Sequence, residues 1–140
     1  SALRALADQL RSAIVQAFAG ERSPRSQERI AACSALVRRA EEYLRGQGDR
    51  PVSLSTLCAT LQAGEARLRE AYRRVYGTSP SRYLRLRRLH LARRKLRTTL
   101  REEWSVSAVA ASLGFFEFGR FAGDYRATFG ELPSQTPRAR

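Results

Sequence analysis

Apolar residues in this chain recur at three- and four-residue steps, the spacing that lines up one face of an α-helix. Leu3, Leu6, Leu10, Ile14 and Phe18 mark a first amphipathic helix ending near Ala19. Gly20-Glu21-Arg22-Ser23-Pro24-Arg25-Ser26 reads as a loop. A second helix is expected from about Gln27, with Ile30, Cys33, Leu36, Val37, Ala40 and Leu44 on one face, until Gly46-Gln47-Gly48-Asp49-Arg50-Pro51 stops it. Ser53 is a good cap for a short helix over Leu54–Leu61, and Gln62-Ala63-Gly64 a tight turn. The helix that follows, Glu65–Tyr76, turns Leu68, Ala71, Tyr72 and Val75 inward and Ala66, Arg69, Glu70 and Arg73 outward, and Gly77 ends it. Pro80 opens a long breaker-free segment to about Leu100 in which Tyr83, Leu86, Leu89, Leu96 and Leu100 can pack. Arg82, Arg85, Arg87, Arg88, Arg93, Arg94, Lys95 and Arg97 are left mostly outside. Ser105 then caps Val106–Leu113, Gly114 turns the chain, and a last helix runs from about Glu117 to Phe129 with Phe121, Tyr125 and Thr128 inward. Gly119, Ala122, Gly123 and Arg126 face out. The pattern is all-α.

The last two helix pairs are copies of one unit. Tyr72-Arg73-Arg74-Val75-Tyr76-Gly77-Thr78-Ser79-Pro80 returns 53 residues later as Tyr125-Arg126-Ala127-Thr128-Phe129-Gly130-Glu131-Leu132-Pro133. Ser53-Leu54-Ser55-Thr56-Leu57-Cys58-Ala59 returns at a spacing of 52 as Ser105-Val106-Ser107-Ala108-Val109-Ala110-Ala111, so one residue is inserted between the halves. A short helix, a tight turn and a longer helix with a polar outer face describe a helix-turn-helix, here at about 53–77 and 105–130. The connecting helix, about 80–100, spans ~30 Å. Recognition elements one turn of B-DNA apart must be separated by ~34 Å, so this connector can hold two such units at successive major grooves.

Charge sharpens the expectation. The formal net charge is +13, and most of it lies from Pro51 onward, where 17 basic residues stand against 7 acids. Such a balance favours nucleic acid, an anionic membrane or an acidic partner. No apolar run approaches the ~20 residues of a membrane-spanning helix. Cys33 and Cys58 lack a CxxC partner or neighbouring His and read as small buried thiols in a reducing compartment, with no metal site. With no Met and Ser1 as its first residue, the chain is expected to be part of a longer protein. Residues 1–26 are read as an N-terminal helix and linker, the remnant of a regulatory or dimerisation domain, and 27–140 as the functional domain.

Leu57-Cys58-Ala59, Leu68, Tyr72-Arg73, Tyr76-Gly77, Pro80-Ser81-Arg82-Tyr83-Leu84, Arg87, Leu89 and Ala92 form one set of marks. Val109-Ala110, Gly114-Phe115, Phe121, Tyr125-Arg126, Phe129-Gly130 and Pro133 form the other. On these the segment from about Ser53 to Pro133 resembles the DNA-binding domain of AraC/XylS-type bacterial transcription regulators. The resemblance implies seven helices in two lobes, the second helix of each pair entering a major groove. It further implies a cytoplasmic, nucleoid-associated activator that touches RNA polymerase and forms a homodimer through an N-terminal domain absent from these residues. The chain departs from the family pattern in three places. Gly64 stands where a Ser or Thr cap is usual, Gly119 and Gly123 replace the common Ser and Arg, and Thr136-Pro137 follows the final Pro where a Tyr is frequent.

Arg69 and Arg73 are expected to contact bases or phosphates from the first recognition helix, beside Ala66 and Glu70, whose carboxylate either accepts from a cytosine amino group or pairs with a neighbouring Arg. Arg67, Arg74, Gly119, Arg120, Gly123 and Arg126 are the candidates for backbone or second-groove contacts, with the caps Ser53 and Ser105 near phosphates. Small residues on the second helix allow close approach to the DNA backbone, so the second half-site is expected to be read weakly by base contacts and partly through shape. Phe116 and Phe118 are expected to pack in the core or turn rather than against thymine methyls, Trp104 to staple the second cap, and His90 to lack partners. No Gly-x-Ser-x-Gly setting, phosphate-cradling loop or carboxylate pair in a cleft is present, so neither an enzyme nor a cofactor is expected. The sequence leaves open a non-specific architectural or RNA-binding basic helical protein, and for the N-terminal helices a partner-binding module.

Overall fold

In the computed structural model, which describes residues 2–20 and 23–138 (side chains for 4–14 and 23–138), four helices begin at a serine. The hydroxyls of Ser23, Ser53, Ser79 and Ser105 accept from the backbone N–H of Ser26, Thr56, Arg82 and Ala108 at 3.1–3.2 Å. Each satisfies one of the donors a helix start leaves unpaired, worth about 1 kcal/mol. The helices are α1 (Ala2–Gly20), α2 (Pro24–Gly46), α3 (Leu54–Leu61), α4 (Glu65–Tyr76), α5 (Pro80–Thr98), α6 (Val106–Ser112) and α7 (Phe118–Phe129), followed by a 3-10 turn (Pro133–Gln135). The all-α class, with two helix-turn-helix units on a long connecting helix, is as the periodicity implied.

Two hydrophobic cores hold the chain. The first gathers Leu36, Val37, Ala40 and Leu44 of α2 with Leu57 and Leu61 of α3, Leu68, Ala71 and Tyr72 of α4, and Leu84 of α5. The second gathers Leu89, Ala92 and Leu96 of α5 with Val109, Leu113, Phe115, Phe121 and Tyr125. Set side by side, these show that the duplication is longer than the sequence phrases. Val37, Ala40 and Leu44 are matched by Leu89, Ala92 and Leu96, each 52 residues later and each buried. The repeat is therefore three helices, α2-α3-α4 and α5-α6-α7. The connector is also the first helix of the second copy. Both recognition helices end on a glycine in the left-handed region, Gly77 at φ 67° and Gly130 at φ 74°, where a side chain would be strained. Proline follows three residues on in both, Pro80 opening α5 and Pro133 the 3-10 turn.

Several expectations are corrected. α2 starts at Pro24, not near Gln27, because Ser23-Pro24 supplies cap and first helical residue; residues 24–29 carry no periodic apolar side chain to show it. Residues 21 and 22 of the expected loop, and the Leu3 and Phe18 side chains of the first stripe, lie outside the described residues. Leu6, Leu10 and Ile14 of that stripe, and Ile30 of α2, are exposed. Val75 is exposed because the core under α4 ends at Tyr72. Thr128 is exposed, its hydroxyl donating to the Asp124 carbonyl at 2.8 Å. The connector ends at Thr98 rather than near Leu100. Cys33 and Cys58 are half-buried, and burial pushes the Cys58 thiol up. His90 is exposed but sets its ring edge-on to Phe129 at 5.0 Å. Trp104 packs on the second core, as a staple should, and carries Lys95 over its ring at 4.1 Å.

The largest correction concerns the arginines of α5. Arg82, Arg94 and Arg97 are exposed, but Arg85, Arg87, Arg88, Arg93 and Lys95 are half-buried and engaged. Arg87 donates to the carbonyls of Leu44, Gly48 and Arg50 at 2.9–3.0 Å, closing the C-terminus of α2. Arg85 pairs with Asp124 of α7, and Arg93 reaches Glu131 at 3.5 Å while covering the Phe129 ring. Arg88 lies over Phe115 with its centre 4.9 Å from the ring.

Candidate nucleic-acid interface

α4 presents the first candidate surface. Ala66, Arg67, Arg69, Arg73 and Arg74 are exposed on it, and Glu70 is half-covered by its neighbours. The turn that launches the helix has Gln62 in the left-handed region and Gly64 as a cap with no side-chain hydrogen bond. Intrahelical ion pairs order this face. Arg69 bonds Glu65 at 2.8 Å, and Glu70 accepts from Arg73 at 2.8 Å and from Arg74. Hydrogen bonds from Arg73 and then Arg74 hold the Glu70 carboxyl down at about 2. Of the two roles read for Glu70, the structure shows the pairing one. Helix ion pairs this exposed contribute little to stability. A bidentate guanine contact is worth about 1–3 kcal/mol, so these guanidiniums can be handed to DNA at little cost.

α7 presents the second surface, and it is chemically barer. Gly119, Arg120, Gly123 and Arg126 are exposed and Ala122 is half-buried. A Cβ built on Gly119 or Gly123 would meet no other atom within 4 Å, so nothing inside this fold requires glycine there. Arg85 ties the helix to α5 through Asp124. The Tyr125 hydroxyl meets buried Thr136 at 2.6 Å, so Thr136 anchors the tail where the family often has Tyr. Ser53 and Ser105 are exposed at the two helix starts, each with a second hydroxyl, Ser55 or Ser107, 3.0–3.1 Å away.

The phenylalanines overturn the sequence reading. Phe116 is 78 % exposed and Phe118 46 %, whereas Phe115 is 6 %. The cause is the inserted residue. Gln62 and Gly114 occupy the same left-handed position, but the cap follows two residues later at Gly64 and three at Glu117. The longer second turn buries Phe115 and throws Phe116 outward, against a cleft of about 250 Å³ lined by Arg85, Arg88, Glu117 and Arg120. The change of repeat spacing from 52 to 53 was the signal for this. The half-buried Arg85 and Arg88 of the cleft were not anticipated at all.

Residues 57–139 match the family model of a helix-turn-helix domain. The chain belongs to the AraC/XylS-type helix-turn-helix family. It is similar to the XylDLEGF operon transcriptional activator 1 of Pseudomonas putida, 36 % identical over 102 residues, covering 73 % of this chain and 31 % of that protein. It is also similar to a probable thc operon regulatory protein of Rhodococcus erythropolis, 29 % identical over 133 residues, 95 % of this chain and 40 % of the relative. The chain thus spans about a third of the length of these relatives. Family membership makes it a sequence-specific DNA-binding module of transcription regulation, not a member of an enzyme family. Among the described residues no helix is long and apolar enough to cross a membrane, and no cluster of His, Cys, Asp and Glu could hold a metal.

Proposed function

We propose that the chain binds asymmetric duplex DNA of about two helical turns, with α4 and α7 in successive major grooves and unequal readout in the two halves. The carrying observation is the three-helix repeat whose second copy begins with the connecting helix α5. That helix has 19 residues, about 28 Å at 1.5 Å per residue, close to the ~34 Å turn of B-DNA. In the first half-site Arg69 and Arg73 read bases beside Ala66, while Arg67 and Arg74 meet phosphates. In the second, Arg120 and Arg126 meet phosphates and Gly119 and Gly123 admit the backbone closely. Ser53 and Ser105 sit near phosphates at the two helix starts.

We further propose that the protein acts as an activator in the bacterial cytoplasm, touching RNA polymerase and forming a homodimer; the similarity to proteins named transcriptional activators supports the activator role. Selection of bound duplexes from a random pool, then titration at physiological salt, tests the reading. The recovered site should bind at least ~10³-fold more tightly than unrelated duplex. Equal loss of affinity on all sequences as salt rises would mark a non-specific polyanion binder instead. Base-by-base substitution should find the steeper losses in the half read by α4.

A further inference from the structure

We propose that Phe116 is a specificity-determining residue of the second half-site, its ring covering the C5-methyl of a thymine in the major groove. The inference rests on the reading above, that α7 enters that groove. Phe116 stands two residues before the first residue of α7, and in helix-turn-helix proteins it is the N-terminal end of the recognition helix that reaches base edges. A ring 78 % exposed is costly surface unless something covers it. The surroundings say what kind of partner that is. Arg88, Arg120 and Arg85, the last already paired with Asp124, line the cleft beside the ring, with Glu117 the acid among them. Arg88 is half-buried over Phe115 and forms no carboxylate pair among the described residues. An apolar ring inside a cationic rim fits a polyanion that also displays an apolar group.

Duplex DNA displays one such group in the major groove, the thymine methyl, and contact with it is a recognised form of direct readout. With Arg120 and Arg126 meeting phosphates, the rest of the α7 surface offers no hydrogen-bonding readout of bases. Gly119, Ala122 and Gly123 carry no hydrogen-bonding side chain, and the two glycines let the helix, and Phe116 with it, approach closely. Phe118 does not share the setting: it lines a separate groove with Val106, Phe121 and Pro133.

The test uses this 140-residue chain and the duplex it selects, with each thymine of the second half-site replaced singly by deoxyuridine, which removes only the methyl. At one position the unsubstituted chain should lose about fourfold in affinity, the worth of one buried methyl-sized group. Phe116→Ala should bind the thymine and deoxyuridine duplexes equally, Phe116→Leu should keep part of the difference, and Phe118→Ala should keep all of it. Thermal unfolding of Phe116→Ala should match the parent. A second half-site without thymine, indifference of the parent chain to every deoxyuridine, or full discrimination by Phe116→Ala would overturn the proposal while leaving two-groove binding intact. Failure to select any preferred duplex would overturn both readings together.

Discussion

Replacing Arg87 with Ala separates two meanings of a basic residue in this protein. If the arginines of α5 were a DNA-facing stripe, Arg87→Ala would weaken DNA binding and leave folding alone. The structure predicts the opposite. Arg87 donates three hydrogen bonds, to Leu44, Gly48 and Arg50. The Leu44 carbonyl is part-buried in the last turn of α2, and besides the Arg87 guanidinium it accepts only the Gln47 backbone N–H at 3.2 Å. Losing a charged donor there costs about 1.5–3 kcal/mol. The carbonyls of Gly48 and Arg50 can turn to water, so about 0.5 kcal/mol each is reasonable for them. Burial opposes the guanidinium charge, and removing it returns part of that. The net expectation is about 2–3 kcal/mol, or about 6–12 °C in midpoint for a domain of this size. Arg87→Lys should recover less than half, since one ammonium cannot span three carbonyls. Urea unfolding followed by far-ultraviolet circular dichroism reads the loss. A change below about 0.5 kcal/mol, or weakened DNA binding with unchanged unfolding, refutes the reasoning.

Arg69→Ala and Arg73→Ala should behave in the reverse sense: each loses about 5- to 150-fold in affinity for the selected site, with unfolding unchanged within about 0.5 kcal/mol because their ion pairs are exposed. Relaxed preference at one guanine position in a base-substitution series identifies the contact. Gly119→Ala and Gly123→Ala should each stabilise the fold by about 0.5–1 kcal/mol, since the added Cβ meets nothing, while weakening DNA binding by keeping the backbone away; unchanged affinity removes the close-approach argument. Glu70→Gln should be less stable than the parent near neutrality. The Glu70 carboxyl is depressed to about 2, so its contribution is fully present above its unfolded value near 4.5 and is lost as pH falls through about 2. The stability gap in urea should therefore close at the acid end, and a gap that widens there contradicts the pairing with Arg73 and Arg74.

The sequence was legible wherever a residue type does one job. The caps Ser53 and Ser105, the glycine stops after α4 and α7, and the buried pair Tyr72 and Tyr125 followed from spacing alone, whereas the caps Ser23 and Ser79 did not. Long arginines were not legible, because aliphatic stem and charged head have opposite preferences and the same helix face can bury one and expose the other. Periodicity puts Arg87 outside α5; only the arrival of the α2 C-terminus beside it turns that position inward. Phe116 failed for the converse reason. Adjacent phenylalanines at 115 and 116 cannot both face one core from a turn, and which one does depends on turn length. The candidate surface on α4 was readable because its face is polar against an apolar core. That on α7 was half readable, since glycines mark a surface without saying what approaches it.

The division between arginines that wire the fold and arginines on the recognition faces, where any ion pairs are exposed and within one helix, sets the salt dependence of binding. The net charge of +13, taken as phosphate contacts, would give a slope of log K against log salt of about −12, at about −0.9 per phosphate. The structure allows far less. Arg85 and Arg93 face carboxylates, Arg87 faces carbonyls, and Arg94 pairs with Asp49. The two recognition faces offer Arg67, Arg69, Arg73, Arg74, Arg120 and Arg126. If all six met phosphates the slope would be about −5; with Arg69 and Arg73 spent on bases it would be nearer −4. A titration of the selected duplex across salt concentrations gives the number directly. A slope steeper than about −9 would mean that basic residues beyond the two recognition faces lie on the DNA.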